Sequence, residues 1–249
     1  MKAKGKMKIL TVIPARGGSK GVPRKNVREL CGRPLICYAI KSAIGCDLID
    51  KVIMSTDDEE IAQKAKGCGA EVPFMRPKDI SGDKVSLIPV IKHALKYFDD
   101  LGLRYDAAIS LQPTSPFVTT SVLYRVIEKM EETGCDSVVS VHEIIHGHPY
   151  RAKRLINGDK LDNFFEGFNG DLFLQKQDRP PAYAYNGAIY LRKRELIENY
   201  SGKDFGLGRD VRAVIMDPIE SINIDTETDF RIAEILMQDR STNKNGRDV

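Results

Sequence analysis

The chain has 249 residues, of which 42% are hydrophobic and 29% are charged. This length can bury one sizeable core, so a single domain is expected. The apolar runs, such as residues 9–13 and 107–111, are far shorter than the roughly 20 residues that span a bilayer, which excludes a membrane span. Lys+Arg (38) and Asp+Glu (35) nearly balance, which argues against a protein that binds nucleic acid by neutralising phosphates. A single anionic small molecule is compatible with this charge.

The five cysteines are odd in number and form no CxxC pair, which predicts neither a zinc knuckle nor a disulfide framework. They are Cys31, Cys37, Cys46, Cys68 and Cys135. The apolar stretch after the amino-terminal lysines meets Pro14 and Arg16 too soon for the core of a signal peptide. Both observations predict a protein of the reducing cytoplasm.

Short β-branched runs alternate with amphipathic stretches from residue 9 onward, which is typical of βαβ proteins. Strands are predicted at 9–13, 51–55, 71–74, 107–111 and 137–142. Helices are predicted between them, at 58–66, 87–98 and 120–132, together with one that Pro34 opens from a first-turn position. The fold class is therefore α/β, with a mostly parallel sheet and flanking helices.

The regular alternation stops after His142, where glycines and prolines interrupt the chain. This predicts a loop-rich subdomain inserted at about 142–209 in a single domain of residues 1–249. Strands are expected again at 188–191 and 213–216, then a closing helix at 226–238 and a solvated tail at 241–248. The insert is too irregular to bury its aromatic side chains alone, so we expect it to form a dimer interface. These side chains are Phe164, Phe165, Phe168, Phe173 and Tyr183.

A segment rich in glycine and cations follows the first predicted strand, and we call residues 14–26 the phosphate loop. Its sequence is PARGGSKGVPRKN, with four cations within ten residues. Glycines let a backbone turn its N–H groups towards one point, and cations around them favour a polyphosphate. In open α/β sheets, ligands collect beyond the carboxyl ends of the strands, where this loop lies. The spacing matches neither a dinucleotide fingerprint nor a Walker A loop.

The segment 13–26, IPARGGSKGVPRKN, resembles the opening nucleotide-binding motif of the acylneuraminate cytidylyltransferases, also called CMP-sialic acid synthetases. Further segments similar to that family recur in the same order: STDDEEIA at 55–62, AEVPFMRP at 70–77, LQPTSPF at 111–117, NGAIY at 186–190 and SINIDTETDF at 221–230. The resemblance implies a nucleotidyltransferase (Rossmann-like) fold, CTP as donor and Mg²⁺ or another divalent ion. It also implies a homodimer in which the insert of one subunit reaches the other.

The resemblance implies that Arg16, Lys25 and Asp225 are catalytic. Arg16 and Lys25 would stabilise charge on the α-phosphate and on the departing pyrophosphate. The implied nucleotide-binding residues are Pro14, Ala15, Arg16, Gly17, Ser19, Lys20, Lys25, Asn26, Arg76 and Ser86. Backbone carbonyls near Pro14 and Ala15 suit the exocyclic amine of cytosine. Arg76 as an ordinary loop arginine and Ser86 as a helix cap are the alternative interpretations.

A second implied set of residues binds the sugar. Gln112, just past a strand end, would direct its amide at the sugar, and Asn186 and Tyr190 lie four apart on a strand and are expected to share a face. Arg151 and Lys176 match basic positions that would meet the carboxylate of a sugar acid. Asn186 and Tyr190 could instead belong to a strand with one buried tyrosine.

Two positions depart from the pattern of the family. Where relatives commonly have two aspartates two residues apart, this chain has Asn223 and Asp225, so the predicted metal site holds one carboxylate and one amide. An amide oxygen can bind Mg²⁺ but adds no charge. Ala184 stands where some relatives carry an arginine near the sugar, which leaves the identity of the acyl sugar open.

Three functions remain open. The first is transfer of CMP from CTP to sialic acid or a close nonulosonic acid such as legionaminic acid, and the second is the same chemistry on pseudaminic acid or KDO. The third is a nucleotide-binding protein of the same fold without catalysis, to which Asn223 would point. A zinc site at His142, His146 and His148 is a weaker interpretation than a hinge into the insert, because Gly147 and Pro149 interrupt the cluster.

Overall fold

A six-stranded sheet forms the centre of the computed structural model, which describes residues 6–18, 21–167, 175–202 and 205–245. The strands are β1 (Ile9–Pro14), β2 (Glu29–Leu30), β3 (Arg33–Pro34), β4 (Lys51–Ser55), β5 (Ala107–Leu111), β6 (Ser137–Glu143), β7 (Lys153–Ile156), β8 (Lys160–Asn163), β9 (Tyr183–Lys193) and β10 (Val211–Ile215). The helices are α1 (Ile36–Ile44), α2 (Glu59–Gly67), α3 (Leu87–Asp100), α4 (Thr120–Thr133), α5 (Arg194–Glu198) and α6 (Glu227–Asn245).

The central sheet has the strand order β10-β6-β9-β5-β1-β4. β1 pairs in parallel with β4 and β5, and β10 pairs in parallel with β6. β9 runs antiparallel between β5 and β6. The predicted α/β class with a mostly parallel sheet is confirmed, and one antiparallel strand joins its two parallel parts.

Apolar side chains fill both faces of this sheet. On one face, α1, α2 and α4 pack against residues such as Ile13, Ile109 and Leu191. On the other face, α3 and α5 pack against residues such as Val12 and Ala108. All six residues of β1 are buried, and a run that is apolar except for Thr11 is the pattern expected of a strand covered on both sides.

Residues 71–74 do not form the predicted strand. Glu71 makes an isolated bridge to Ile53 beside β4, and Met75 makes another to Thr56. Pro73 lies between these bridges and has no N–H to donate to a ladder, so regular pairing cannot run through it.

Pro34 does not open α1. It lies in β3 and pairs with Glu29 in a hairpin whose two turn residues, Cys31 and Gly32, have φ values of 49° and 74°. Two consecutive positive φ angles are typical of the tight turn that connects a two-residue hairpin. The helix therefore begins two residues later, at Ile36.

The predicted tail begins too early, because α6 continues to Asn245. Glycine and proline, which end helices, are absent between residues 227 and 245. The remaining residues of the predicted tail, 246–248, lie outside the described residues.

The expectation of reduced cysteines is wrong for one pair. Cys37 in α1 and Cys68, directly after α2, form a disulfide with 5.4 Å between their Cα atoms. α1 and α2 pack against each other on the same face of the sheet, which brings together two cysteines 31 residues apart in sequence. Cys31, Cys46 and Cys135 are free thiols.

The range 142–209 contains more regular structure than its composition indicated. The β7–β8 hairpin lies within it, and β9, predicted only as 188–191, extends over Tyr183–Lys193 in the central sheet. Residues 168–174, with Phe168 and Phe173, lie outside the described residues. Among the helices that the structure describes, none has the length and apolar character needed to cross a membrane.

Candidate active site

Two adjacent cavities open at the carboxyl ends of β1 and β5. Their volumes are about 260 and 220 Å³, and both are lined by Pro14, Arg16 and Gln112. The first is also lined by Gly21, Lys25, Asn26, Pro113, Thr114 and Asp225. The second is also lined by Arg76, Ile80, Ser81, Gly82, Asp83, Val85, Ser86, Leu87 and Val90. Six of the predicted nucleotide residues therefore line cavities at the edge of the sheet where open α/β folds bind ligands, namely Pro14, Arg16, Lys25, Asn26, Arg76 and Ser86, whereas Ala15 and Gly17 line neither.

A larger cavity of about 950 Å³ lies at the opposite end of the sheet. Its walls carry charges of both signs, from Lys6, Arg104, Asp106 and Glu131 among others, and no predicted site residue lines it. Because it has neither a dominant charge nor the loop chemistry described above, we assign the site to the two smaller cavities.

The described part of the phosphate loop is held by one contact within the loop and by contacts with two other segments. The Gly17 N–H donates to Asp57 Oδ1 (3.2 Å), and Asn26 Nδ2 donates to the carbonyl oxygen of Arg16 (3.0 Å). A Cβ atom on Gly21 would collide with the carbonyl oxygen of Asp225. Only glycine therefore allows the loop to lie this close to the carboxyl-terminal segment. Ser19 and Lys20 lie outside the described residues.

Three cations of this loop contact carboxylates. Arg16 pairs with Asp83, Arg24 pairs with Asp58 (2.7 Å) and Glu60, and Lys25 pairs with Asp225 (3.2 Å). The hydrogen bond from Arg24 lowers the pKa of Asp58, which also caps α2 by accepting from the Ile61 N–H. Such partly exposed pairs contribute little stability, so an incoming polyphosphate could replace the carboxylates.

Lys25 is the most enclosed of these three cations, since only 13% of its side chain is exposed. Its Nζ donates to the carbonyl oxygen of Ile224 (2.6 Å) as well as to Asp225. These contacts join segments 200 residues apart in sequence. They fix the ammonium group on the wall of the first cavity.

The predicted metal pair lies beside Lys25. Asn223 Nδ2 donates to Asp225 Oδ2 (2.6 Å), while Oδ1 of the same carboxylate accepts from Lys25. Within the described residues, no cluster of three or more His, Cys, Asp or Glu side chains could hold a metal ion. One exposed carboxylate on a cavity wall nevertheless fits Mg²⁺, which usually takes one or two protein carboxylates and completes its shell with phosphate oxygens and water.

Arg76 is buried and is not an ordinary loop arginine. It donates to the carbonyl oxygens of Ala15 and Ser55, both at 2.8 Å, and burial lowers its pKa. Arg76 therefore ties the end of β1 to the end of β4 beneath the second cavity. Ser86 stands at the N-cap position of α3 without a side-chain capping bond, so the capping alternative receives no support.

Gln112 directs an unsatisfied donor at the site. It follows β5 and lines both cavities, and its Nε2 is buried without a hydrogen-bond partner among the described residues. Buried amide groups normally have partners, so a ligand group is the natural acceptor.

Asn186 and Tyr190 do not share a face, contrary to the prediction. Asn186 donates to Met216 and Ser221 and accepts from Ser140, with Met216 in the cluster under α4. Tyr190 instead packs with Val139, Val141 and Leu207 on the opposite face. The register of β6 against β9 shifts between Val139 and Val141, and Gly187 has a φ of 77°. This bulge places three extra residues in β9 relative to β6, an odd number, and so breaks the two-residue alternation.

Arg151 and Lys176 lie in short 3₁₀ turns, Pro149–Arg151 and Lys176–Asp178, and line neither cavity of their own chain. Nearby His148 is buried, with Nε2 3.0 Å from the carbonyl oxygen of Pro180 and Nδ1 accepting from the Tyr150 N–H. His148 thus joins the start of the insert to Pro180, which precedes β9, and these contacts give no support to a zinc site.

A model of the cytidylyltransferase family matches residues 10–244. The chain belongs to this family. It is 34% identical to the CMP-N,N'-diacetyllegionaminic acid synthase of Legionella pneumophila over 93% of this chain and 97% of that protein. It is also 34% identical to the N-acylneuraminate cytidylyltransferase of Escherichia coli, over 95% of this chain and 54% of that protein. The structure of a CMP:2-keto-3-deoxy-manno-octonic acid synthetase complexed with CTP superposes with a TM-score of 0.70 at 19% identity, covering 94% and 99% of the two chains, which supports the fold.

Sequence reasoning missed the carboxylates that organise the phosphate loop, namely Asp57, Asp58 and Asp83. The run TDDEE directly after β4 contained a usable signal, because β1 and β4 are parallel neighbours whose carboxyl ends lie side by side. Asp83 gave no comparable signal, since its segment has no regular structure.

Proposed function

We propose that this protein transfers CMP from CTP to the anomeric hydroxyl of an acylneuraminate, either sialic acid or a close nonulosonic acid such as legionaminic acid, and releases pyrophosphate. One observation carries the proposal. Arg16, Lys25 and Asp225 converge on one cavity beside Gln112, whose Nε2 has no hydrogen-bond partner among the described residues, in a chain of the cytidylyltransferase family.

The residues of the site would act mainly by positioning and charge. Phosphoryl transfer requires little covalent chemistry from a protein, and cations that face the transferring group stabilise its developing charge. Arg16 and Lys25 would exchange Asp83 and Asp225 for phosphate oxygens, and Ser19 and Lys20 would complete the triphosphate site. Gly17 would contribute its N–H, which Asp57 now accepts. Asn26, bonded to the Arg16 carbonyl, would hold the loop in shape.

Asp225, with Asn223 as a neutral partner, would hold Mg²⁺. When bound, the ion supplies positive charge to the triphosphate and to the pyrophosphate that leaves. The Asn223 amide must rotate to present oxygen, because its nitrogen now faces Asp225.

The second cavity would take the nucleoside. Its wall combines the apolar side chains of Ile80, Leu87 and Val90 with Ser86, which suits a flat base and a ribose hydroxyl. Pro14 would offer its carbonyl to the exocyclic amine. The Ala15 carbonyl already accepts from Arg76, so these two residues would shape the floor of the cavity.

The sugar would lie on the side of Gln112 and Tyr190. Asn186 would support the sugar site indirectly, since its amide is already hydrogen-bonded to Ser140 and Ser221. Arg151 and Lys176 would meet the sugar carboxylate from a second subunit, because they line neither cavity of their own chain.

We also propose a homodimer formed through the insert. Leu155, Leu161 and Phe164 are 66%, 64% and 57% exposed, and Phe165 and Tyr183 are nearly half exposed. Grouped apolar side chains of this kind mark interfaces in soluble proteins. Light scattering at micromolar concentration should give twice the chain mass, and a fully active monomer would contradict this part of the proposal. The cytoplasm remains the expected location.

The decisive experiment is pyrophosphate release from CTP with a panel of sialic, legionaminic and pseudaminic acids and KDO. Turnover with sialic or legionaminic acid is the expected result. Turnover confined to pseudaminic acid or KDO would support the alternative substrates. Binding of CTP without turnover on any sugar would support the non-catalytic alternative.

A further inference from the structure

Arg192 is a buried cation without a carboxylate partner among the described residues. Only 3% of the residue is exposed, and its hydrogen-bond acceptors are neutral. Burial lowers its pKa to about 10, so the group remains charged at neutral pH. A buried, uncompensated charge is costly, and a protein that needed only apolar packing at this position would be more stable with an aliphatic residue.

The contacts of Arg192 show what the charge holds. Nε and Nη2 donate to the carbonyl oxygen of Phe205 (3.2 and 3.0 Å), and Nη1 donates to Ser110 Oγ (3.3 Å). The guanidinium group also lies 4.8 Å from the centroid of the Tyr190 ring. One side chain thus joins β5, β9 and the segment 205–208.

Phe205, Tyr185 and Tyr190 form what we call the aromatic cluster. The rings of Tyr185 and Tyr190 are 6.4 Å apart, and those of Tyr185 and Phe205 are 6.1 Å apart. Phe205 is 64% exposed and Tyr185 is 49% exposed, whereas Tyr190 is nearly buried. Arg192 contacts two of these three residues, Tyr190 through its ring and Phe205 through its backbone carbonyl.

The aromatic cluster lies close to the candidate site along the sheet. Tyr190 is paired with Ser110 in β5, and Gln112 follows directly after the end of that strand. The segment that follows Phe205 also reaches α3, because a Cβ on Gly206 would collide with Ile88, close to Ser86 at the start of that helix. A shift of residues 205–208 would therefore displace both Tyr190, on the proposed sugar side of the site, and the start of α3, which lines the proposed nucleoside cavity.

We propose that Arg192 is a positioning residue for the sugar side of the site, which holds the Tyr190 ring and residues 205–208 in the arrangement that binds the sugar acid. The proposal rests on the proposed function, in which Tyr190 faces the sugar. The charge is retained because a planar guanidinium group can donate to Phe205 and Ser110 while stacking on Tyr190, which neither lysine nor an aliphatic side chain can do.

Arg194 provides a matched control. It is also a buried arginine, 7% exposed and two residues further along the chain. Its partners are Asp99 and Glu198, at the opposite end of the sheet from the phosphate loop. Loss of Arg194 should therefore lower stability without touching the site.

The test compares Arg192→Met, Arg192→Lys and Arg194→Met with the wild type. For Arg192→Met we expect the KM for the sugar acid to rise about tenfold, while the KM for CTP stays within about twofold. The sugar KM of Arg192→Lys should lie between those of the wild type and Arg192→Met, because lysine keeps the charge but loses the forked geometry of the guanidinium group. Arg192→Lys also serves as the measurable variant if Arg192→Met does not fold. Arg194→Met should lower Tm with both KM values unchanged.

Hydrogen exchange supplies a readout that does not depend on the substrate. Amides of residues 205–211 should exchange faster in Arg192→Met and at the wild-type rate in Arg194→Met. An active wild type with an unchanged sugar KM in both Arg192 variants would overturn the proposal, as would unchanged exchange at 205–211. A wild type that transfers CMP to no sugar acid would instead overturn the proposed function, and with it the link from Arg192 to sugar binding.

Discussion

The phosphate loop and the region around Arg192 hold their cations in opposite ways. Arg16, Arg24 and Lys25 each contact a carboxylate in a partly exposed pair that water screens, and Arg16 and Lys25 do so on the wall of a cavity. Arg192 is enclosed and, among the described residues, donates hydrogen bonds only to neutral groups. Exposed pairs are weak and can exchange partners, whereas a buried cation fixes the groups that satisfy it. The first arrangement suits a site that must accept a charged ligand, and the second suits a wall that must keep its shape.

Of the substitutions considered, removal of Lys25 should have the largest effect on turnover. We expect Lys25→Ala to lower turnover at saturating CTP by about 100-fold or more, because a charge directed at the transferring phosphate is lost. Arg24→Ala, one residue earlier, should stay within about threefold, since Arg24 faces Asp58 and Glu60. Pyrophosphate release and thermal melting would be measured on both variants. Near-normal turnover in Lys25→Ala would remove it from the catalytic residues.

The carboxylate beside Lys25 should control metal dependence. Asp225→Asn leaves two neutral amides, so the Mg²⁺ concentration for half-maximal rate should rise about tenfold or more. Asn223→Asp adds a second anionic ligand and should lower that concentration. Mg²⁺ titrations at fixed CTP give both values, with activity expected to be negligible without divalent ion. Three identical curves would show that neither residue contacts the ion.

The closeness of the phosphate loop to the carboxyl-terminal segment can be tested with alanine. Gly21→Ala forces a Cβ onto the Asp225 carbonyl and should cost about 1–3 kcal/mol of unfolding free energy, with a raised KM for CTP. Gly18→Ala is the control, since no atom of the described residues lies within 4 Å of the position that its methyl group would take. Chemical denaturation and CTP kinetics would be measured together. Equal behaviour of the two variants would contradict the tight packing.

The smallest effect concerns the exposed pair of Arg24 and Asp58. Arg24 lowers the pKa of Asp58 below its usual value of 3.8. The stabilisation is therefore present above that value and lost as pH falls through the lowered pKa. Arg24→Met should cost about 0.5 kcal/mol at neutral pH, discounted for solvent screening, and nothing once Asp58 is protonated in strong acid. Urea denaturation of the wild type and Arg24→Met, from neutral pH to strong acid, would measure this difference in unfolding free energy. A difference that does not change with pH would show that the substitution acts through packing and not through the charge pair.

Local patterns predicted most of the central fold. The boundaries of β1, β4 and β5 and the starts of α3 and α4 agree with the sequence to within a residue. Continuous apolar runs and amphipathic spacing are local properties, and burial on both faces of a parallel sheet imposes them directly. The resemblance likewise placed Arg16, Lys25, Gln112 and Asp225 in one site, because the family motifs mark the strand ends that meet there.

The α/β class, the phosphate loop and most of the residues that line the first cavity can be predicted from the sequence alone. Three features could be seen only once the chain was folded: which carboxylate each cation contacts, the pairing of Cys37 with Cys68, and the placement of Asn186 and Tyr190 on opposite faces. These facts depend on strand order, helix packing and a bulge at Gly187, which join residues far apart in the chain. Periodicity records which side of an element is buried, but it does not record which partner lies against that side. The sequence around Arg192 therefore did not indicate that its side chain binds the backbone carbonyl of Phe205.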